Sequence, residues 1–266
     1  MAEPQAAAFT TLRYEVADAV ATITLDRPDA LNALTVASKL ELRAAFEHIA
    51  GDASVRAVVL TGAGRAFCSG QDLKERLEPG AAPLDVELRE RYNPIIRAMR
   101  ALDRPIVGAI NGIAAGAGAS LAFACDLRIA AERASFLLAF GRVGLVPDSG
   151  ATWLLPRLVG PAKAAEMALF TEPLSATDAE RLGLVMRVVA ADQLGEEAHA
   201  VAVRLAGLAP RALALTKRAL DGAWDRSFEA ALELEADLQG QAGSTADHAE
   251  GIAAFLEKRP PRFTGE

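Results

Sequence analysis

The chain has little of the residue types that most often carry covalent or metal chemistry: 2 cysteines and 3 histidines in 266 residues. Cys68 and Cys125 form no CxxC and no ladder of spacings, which excludes a disulfide framework and a zinc knuckle and suggests free thiols in a reducing compartment. His48, His199 and His248 fall in segments of helical periodicity away from the glycine-rich turns, so neither a Ser-His-Asp triad nor a histidine metal cluster is indicated, and no metal is expected. No GxxxxGK[ST] is present, and Gly116-Ala117-Gly118-Ala119-Ser120-Leu121 begins like a dinucleotide fingerprint but lacks its third glycine. Nicotinamide and nucleoside triphosphate chemistry are thereby disfavoured. Positive charge is also scarce, with 28 Lys+Arg against 35 Asp+Glu, a net charge of -7 and no long basic stripe, so nucleic acid is not an expected partner. The segment Met1-Ala2-Glu3-Pro4-Gln5 carries no basic region leading into an apolar run, so no secretory signal is read there and a cytoplasmic enzyme is expected. The one long uncharged stretch, Ile106 to Cys125, is interrupted by Asn111, Ser120 and four glycines; it reads as a buried strand, a turn and a buried helix rather than a membrane span.

What is present is a large apolar complement, 52% of residues against 24% charged, enough for one full-sized core with or without an appendage. Apolar and β-branched residues predict strands at 12–16 and 19–25, closed by the turn Asp26-Arg27-Pro28-Asp29. Thr35 reads as a helix N-cap, with Leu40, Leu42, Ala44, Ala45, Phe46 and Ile49 on the apolar face and Gly51 as the stop. A strand at 56–61 runs into an irregular segment from Gly62 to Leu73, followed by a helix over 86–101. A strand at 105–110 leads through Asn111–Gly118 into a helix of small residues ending near Cys125. Further strands are expected at 127–130, 135–138 and 185–189, a helix from Pro147-Asp148-Ser149-Gly150 to about Leu158, a second helix after it, and helix from Leu194 onward. Trp224, Phe228, Ala231 and Leu238 fall on one stripe, a packing face either within the chain or against another subunit. This succession of strand, glycine-rich loop and helix is an α/β pattern whose loops gather on a common edge, where ligand chemistry is expected.

Two loops, around Cys68 and around Ala117, each follow a strand and allow close backbone approach to a ligand. Two N–H groups converging there would polarise a carbonyl and stabilise an enolate; tight packing alone accounts for the same glycines. Asp148, just before the apolar run Ala151-Thr152-Trp153-Leu154-Leu155, is either a helix N-cap or, following Val143–Pro147, a partly desolvated carboxyl with a pKa suited to proton transfer.

Taken in order, several segments resemble the enoyl-CoA hydratase/isomerase (crotonase) superfamily over almost the whole chain. They are Ile23-Thr24-Leu25-Asp26-Arg27-Pro28 with Leu31-Asn32-Ala33-Leu34, Val58–Gly62, Ala66-Phe67-Cys68-Ser69-Gly70-Gln71-Asp72-Leu73, Arg104–Gly112, Cys125–Ala130 and Ala254–Arg259. The resemblance implies a crotonase-like spiral of ββα units over residues 1–193 and a C-terminal helical trimerisation region over 194–266, assembled as a trimer or dimer of trimers. It implies an acyl-CoA thioester substrate, with coenzyme A part of the substrate and no separate cofactor. It further implies an oxyanion hole from the N–H groups of Cys68 and Ala117, and CoA contacts from Arg27, Ala30, Ala66, Gly70, Gln71, Asp72, Leu73, Gly116, Phe255 and Lys258, the last two often donated by a neighbouring subunit.

The two glutamates usual in hydratases of the family correspond to Ser120 and Phe140 here, neither of which can carry the proton. The run Gly144–Pro156, with Asp148, is instead similar to the 1,2-epoxyphenylacetyl-CoA isomerase branch of bacterial phenylacetate degradation, in which this aspartate is the single catalytic acid. The expectation is therefore an acyl-CoA isomerase. The alternatives are an enoyl-CoA hydratase of fatty-acid or aromatic degradation, a dehalogenase-like enzyme with Asp148 as nucleophile, and a non-catalytic acyl-CoA-binding oligomer.

Overall fold

A computed structural model of the chain describes residues 9–266; the N-terminal reading made on Met1–Gln5 lies outside them. The chain opens with an antiparallel hairpin of β1 (Leu12–Ala17) and β2 (Val20–Leu25), whose turn places Asp18 and Ala19 at positive φ. Helix α1 (Val36–Gly51) begins where Thr35 accepts a bond from the Ser38 N–H, as its residue type predicts. Its buried face is Ser38, Lys39, Leu42, Ala45, Phe46 and Ile49; Leu40 and Ala44 point outward, so the expected face is corrected there, and the helix runs through Gly51.

Successive turns of the chain then each lay one strand in each of two sheets. β3 (Ala57–Gly62) is followed by β4 (Ala66–Cys68) and the short helices α2 (Leu73–Arg76) and α3 (Leu84–Glu87), then by α4 (Asn93–Ala101). β5 (Ile106–Ile110) is followed by β6 (Ile113–Ala115) and α5 (Ala117–Ala124). β7 (Leu127–Ala131) is followed by β8 (Ser135–Leu137), α6 (Ala151–Val159) and α7 (Pro161–Phe170). β9 (Leu174–Ser175), α8 (Ala176–Arg181) and β10 (Arg187–Val189) close the series. The larger sheet has the order β1-β2-β3-β5-β7-β10, parallel apart from β1, and the smaller β4-β6-β8-β9, parallel apart from β9. This is the spiral of ββα units that the resemblance implies. The uncharged stretch 106–125 resolves into β5, β6 and α5, and among the described residues no single helix is long and apolar enough to cross a membrane.

Side-chain alternation along the larger sheet divides the core. Val58, Leu60, Ile106, Ile110 and Ala130 face the helices of the main core, while Ala57, Val59, Val107, Ala109, Ile129 and Ala131 face a second one. That second face is covered by α9 (Leu194–Ala206), which presents Leu194, Ala198, Ala202 and Ala206 at four-residue spacing. Three alanines on this stripe let the helix lie close to the sheet. The remaining helices are α10 (Pro210–Ala223), α11 (Phe228–Gly243) and α12 (Ala246–Glu257). The single stripe expected through Trp224 and Leu238 is corrected: α10 ends before Trp224, Ser227 caps α11, Trp224 and Phe228 are exposed, and Leu238 is buried.

The short strands β4, β6 and β9 and the helix α8 are not expected from the pattern, because strands of two or three residues and a helix of six offer too little periodicity to distinguish them from loop. The helix expected at 86–101 is present but carries a π-turn at Leu88–Tyr92. Pro94, which has no N–H to return to the preceding turn, sits at the start of the α-helical part.

Two buried polar side chains tie the spiral to the loops. Asn32 Nδ2 donates to the carbonyls of Ala63 and Ala66, and Asn111 Nδ2 donates to those of Gly64 and Ala66. At the opposite end of α5, buried Arg128 donates through Nε to Leu184 O (2.6 Å) and through Nη1 to the carbonyls of Ala122, Phe123 and Cys125. It thus satisfies carbonyls that a helix terminus leaves without partners. Arg128→Met is expected to strand several of these acceptors, at a cost of about 3 kcal/mol. In differential scanning calorimetry this should lower the unfolding midpoint by roughly 6–12 °C.

Candidate active site

The two glycine-rich loops meet through backbone contact. A Cβ at Gly118 would overlap the Cys68 carbonyl, and one at Gly70, whose φ is +93°, would lie 2.8 Å from the Ala115 carbonyl oxygen. Only glycine permits this approach, which brings the Cys68 loop against the start of α5. Ala117 is the first residue of α5, so its N–H has no carbonyl one turn back to bond to, and the β4–β6 ladder is irregular between Ala66 and Cys68. Cys68 contributes no reactive thiol: burial pushes its pKa up to about 12, outweighing the Gly70 N–H that favours the thiolate.

Beside this contact lies a mainly apolar cavity of about 360 Å³. Ser69, Gly70, Gln71, Leu73, Gly116 and Ala117 line one side, and Leu84, Leu88, Phe140, Val143 and Leu145 supply most of the apolar wall. Its ionisable lining groups are Arg76, Glu87, Tyr92 and Asp148. A more voluminous groove of about 560 Å³ between α10 and α11 has Glu235 as its one ionisable lining residue and no glycine-rich backbone, so it lacks the means for proton or carbonyl chemistry.

Asp148 does not cap α6. The chain turns through positive φ at both Ser149 (+52°) and Gly150 (+82°), making Gly150 the N-cap and leaving the Asp148 carboxyl free of the helix. The capping alternative is thereby set aside. Burial raises the Asp148 pKa above the ordinary carboxylate value, and the hydrogen bond from Ser149 Oγ to Oδ1 (2.7 Å) opposes the rise only in part. No cation pairs with it among the described residues, whereas Glu87 is held by both Lys39 and Arg91. Ser120, fully buried, donates its hydroxyl to the Asp148 carbonyl oxygen (3.0 Å) and so fastens the turn to α5, while Phe140 lines the cavity. The two positions at which hydratases of the resembled family carry glutamate are therefore a backbone clip and an apolar wall.

The residues expected to contact CoA fall into four groups. Gly70, Gln71, Leu73 and Gly116 line the cavity. Arg27, Ala30 and Asp72 adjoin it: Arg27 Nη1 pairs with Asp72 (2.9 Å) and donates to Ala33 O, and Ser69 Oγ reaches the Ala30 carbonyl at 3.4 Å. Burial opposes ionisation of Asp72, but the Arg27 hydrogen bond and the N–H groups of Glu75 and Lys74 outweigh it and hold the pKa below the ordinary value. Ala66 is 1% exposed, with its carbonyl taken by Asn32 and Asn111, so it supports the loop from behind rather than facing a ligand. Phe255, 83% exposed near the end of α12, and Lys258, its C-cap at positive φ, are not among the residues lining this cavity. Sequence reasoning did not single out Lys39, Glu87, Tyr92 or Ser149. The left-handed turn gives Ser149 its place, and the three others meet only through tertiary packing.

Residues 15–266 match the family model described as enoyl-CoA hydratase/isomerase. A Rhodobacter capsulatus protein named probable enoyl-CoA hydratase is 48% identical over 97% of this chain and 99% of its own length. The 1,2-epoxyphenylacetyl-CoA isomerase of Escherichia coli is 43% identical over 93% of this chain and 95% of its own. Among solved structures, an enoyl-CoA hydratase from Bacillus anthracis superposes with a TM-score of 0.93 at 36% identity, covering 97% of this chain and all of that one.

A buried acid with a raised pKa costs stability once ionised: its contribution falls as pH rises from the unfolded value to the folded one and stays low above that. Asp148→Asn is accordingly expected to raise the thermal midpoint at pH 7, with the gain shrinking as pH drops below the folded-state pKa. Thermal unfolding of both proteins from pH 4 to pH 8 checks this; an equal difference at every pH would contradict it.

Proposed function

The chain belongs to the enoyl-CoA hydratase/isomerase family and is an enzyme acting on acyl-CoA thioesters, and from that premise we propose that it is an acyl-CoA isomerase with Asp148 as its acid and base. The observation that carries this reading is that Asp148 is the one carboxylate lining the cavity without a cation partner among the described residues, with its pKa raised by burial.

In a 3-enoyl thioester, the Asp148 carboxylate takes a proton from C2 and the electron pair moves into the thioester carbonyl. The resulting dienolate oxygen is held by the backbone N–H groups of Cys68 and Ala117, each worth roughly 2–4 kcal/mol if placed like oxyanion-hole donors of other enzymes. The acid thus formed returns the proton at C4, and the double bond ends between C2 and C3 with no atom gained or lost. One carboxylate serves both steps because the raised pKa makes it a competent base and then a competent acid. Phe140, Val143 and Leu145 keep water from the dienolate. Rearrangement of a ring-epoxide phenylacetyl thioester to its ring-opened isomer would draw on the same two elements, and the likeness to the Escherichia coli isomerase supports that acyl class.

Hydration is the second reading, supported by the name of the Rhodobacter relative. Against it stand Ser120 and Phe140, which leave a single carboxylate where activation of water and protonation of C2 ordinarily require two groups. In the same proposal the enzyme works as a trimer or dimer of trimers, with Phe255 and Lys258 completing the CoA site of a neighbouring copy.

Incubation with trans-3-hexenoyl-CoA in deuterated water is expected to give the 2-enoyl isomer at largely unchanged mass, because the shielded acid returns the proton it took, and Asp148→Asn should abolish conversion while still binding the thioester. A product heavier by one water would establish hydration instead, and undiminished turnover by Asp148→Asn would move the proton chemistry to another group. Gly118→Ala, which forces α5 away from the Cys68 carbonyl, should lower kcat by about a hundredfold or more through loss of one donor's alignment, with the folded content checked by circular dichroism.

A further inference from the structure

The cavity wall contains a polar cluster that an aliphatic acyl chain has no use for. Lys39 of α1 is 1% exposed and pairs with Glu87, 5% exposed, which also holds Arg91. Lys39 Nζ donates to Gln71 Oε1 at 3.3 Å and stands 4.8 Å from the centre of the Tyr92 ring, while the Tyr92 hydroxyl donates to the same Oε1 at 2.6 Å. Lysine has no acceptor, so the atom of Gln71 facing it is the amide oxygen, and the orientation of the amide is fixed by its neighbours. Burial raises the Tyr92 pKa, which keeps its hydroxyl a donor toward that oxygen. Nε2 is left with one contact, 3.4 Å to the carbonyl of adjacent Asp72, at the limit of hydrogen bonding.

We propose that the Gln71 side-chain amide is a specificity-determining donor for an oxygen acceptor on the acyl group, a ring ether, epoxide or carbonyl, with Lys39 and Tyr92 as positioning residues. The proposal rests on the acyl-CoA reading above. It is distinct from the CoA contacts that the resemblance gives to the segment carrying Gln71, because it concerns the side chain and the acyl unit. Its physical basis is asymmetry of cost. Burying a lysine, a glutamate and a tyrosine around one amide is expensive compared with an apolar wall of the same volume. An acyl group offering only C–H at this place would desolvate Nε2 without replacing its hydrogen bond, whereas one offering an oxygen is matched.

Two thioesters of nearly the same shape test this without turnover: cyclohexylacetyl-CoA and (tetrahydropyran-2-yl)acetyl-CoA, in which one ring methylene is replaced by an acceptor-only oxygen. By isothermal titration calorimetry the wild-type protein is expected to bind the oxygen-containing thioester about five- to tenfold more tightly, the worth of one neutral hydrogen bond. The ratio of the two affinities should fall to one or below in Gln71→Met and by at least half in Tyr92→Phe. Using the ratio cancels any change in CoA affinity or general packing. Should Gln71→Met fail to fold, Tyr92→Phe carries the test. A wild-type ratio near one, or a ratio unchanged in the variants, overturns the proposal while leaving the acyl-CoA reading intact. Failure of the wild-type protein to bind either thioester overturns both.

Discussion

The approach of Gly118 to the Cys68 carbonyl is the constraint on which the rest of the site is built. Two loops from successive turns of the spiral meet there backbone to backbone, so their separation is set by the frame. The frame is correspondingly over-determined. β4 pairs with β6, the amides of Asn32 and Asn111 converge on the Ala66 carbonyl, and Arg128 fixes the far end of α5 so that the helix cannot slide along its axis. For the proposed function such rigidity is an advantage, because donors already in place need no reorganisation as charge appears.

The two carboxylates of the cavity show how environment separates chemical roles. Glu87 is nearly as inaccessible as the hydrophobic core, yet two cations surround it and its charge is neutralised locally. Asp148 has one hydroxyl partner and apolar surroundings, so its charge is held at a cost. Two carboxyl groups lining the same cavity thus sit in different environments, one paired with nearby positive charge and one without it; the proposed function assigns proton transfer to the second. The positive φ of Ser149 belongs to the same arrangement: it turns the carboxyl away from α6, where capping would have lowered its pKa and spent its acceptor.

Much of this was legible in the sequence, for reasons that differ by element. The central strands β3 and β5 of the larger sheet announce themselves because apolar residues run together where both faces are buried, and Thr35 fixes a helix start by its residue type. The loops at Cys68 and Ala117 and the aspartate at 148 were legible as an ordered set of motifs. By contrast, β4, β6 and β9 are too short to carry a period, and the exposed Leu40 shows that an apolar residue on a helix need not face the core. The cluster of Lys39, Gln71, Glu87 and Tyr92 could not be read locally, since its members come from three separate stretches and a charged residue in a helix ordinarily signals solvent. Likewise Asp148 preceded an apolar run as a cap does, and only the left-handed turn distinguishes the two uses.

The π-turn at Leu88–Tyr92 lies in a stretch that supplies Leu84, Glu87, Leu88 and Tyr92 to one wall of the cavity and nothing to the Cys68–Gly118 contact. The molecule is therefore divided like a tool with a fixed handle and an exchangeable bit. An insertion or replacement between Leu73 and Asn93 can reshape which acyl groups are admitted while the backbone contact of Cys68 with Gly118, in which that stretch takes no part, keeps its registration. Descendants of one such scaffold can diverge in diet without relearning the reaction.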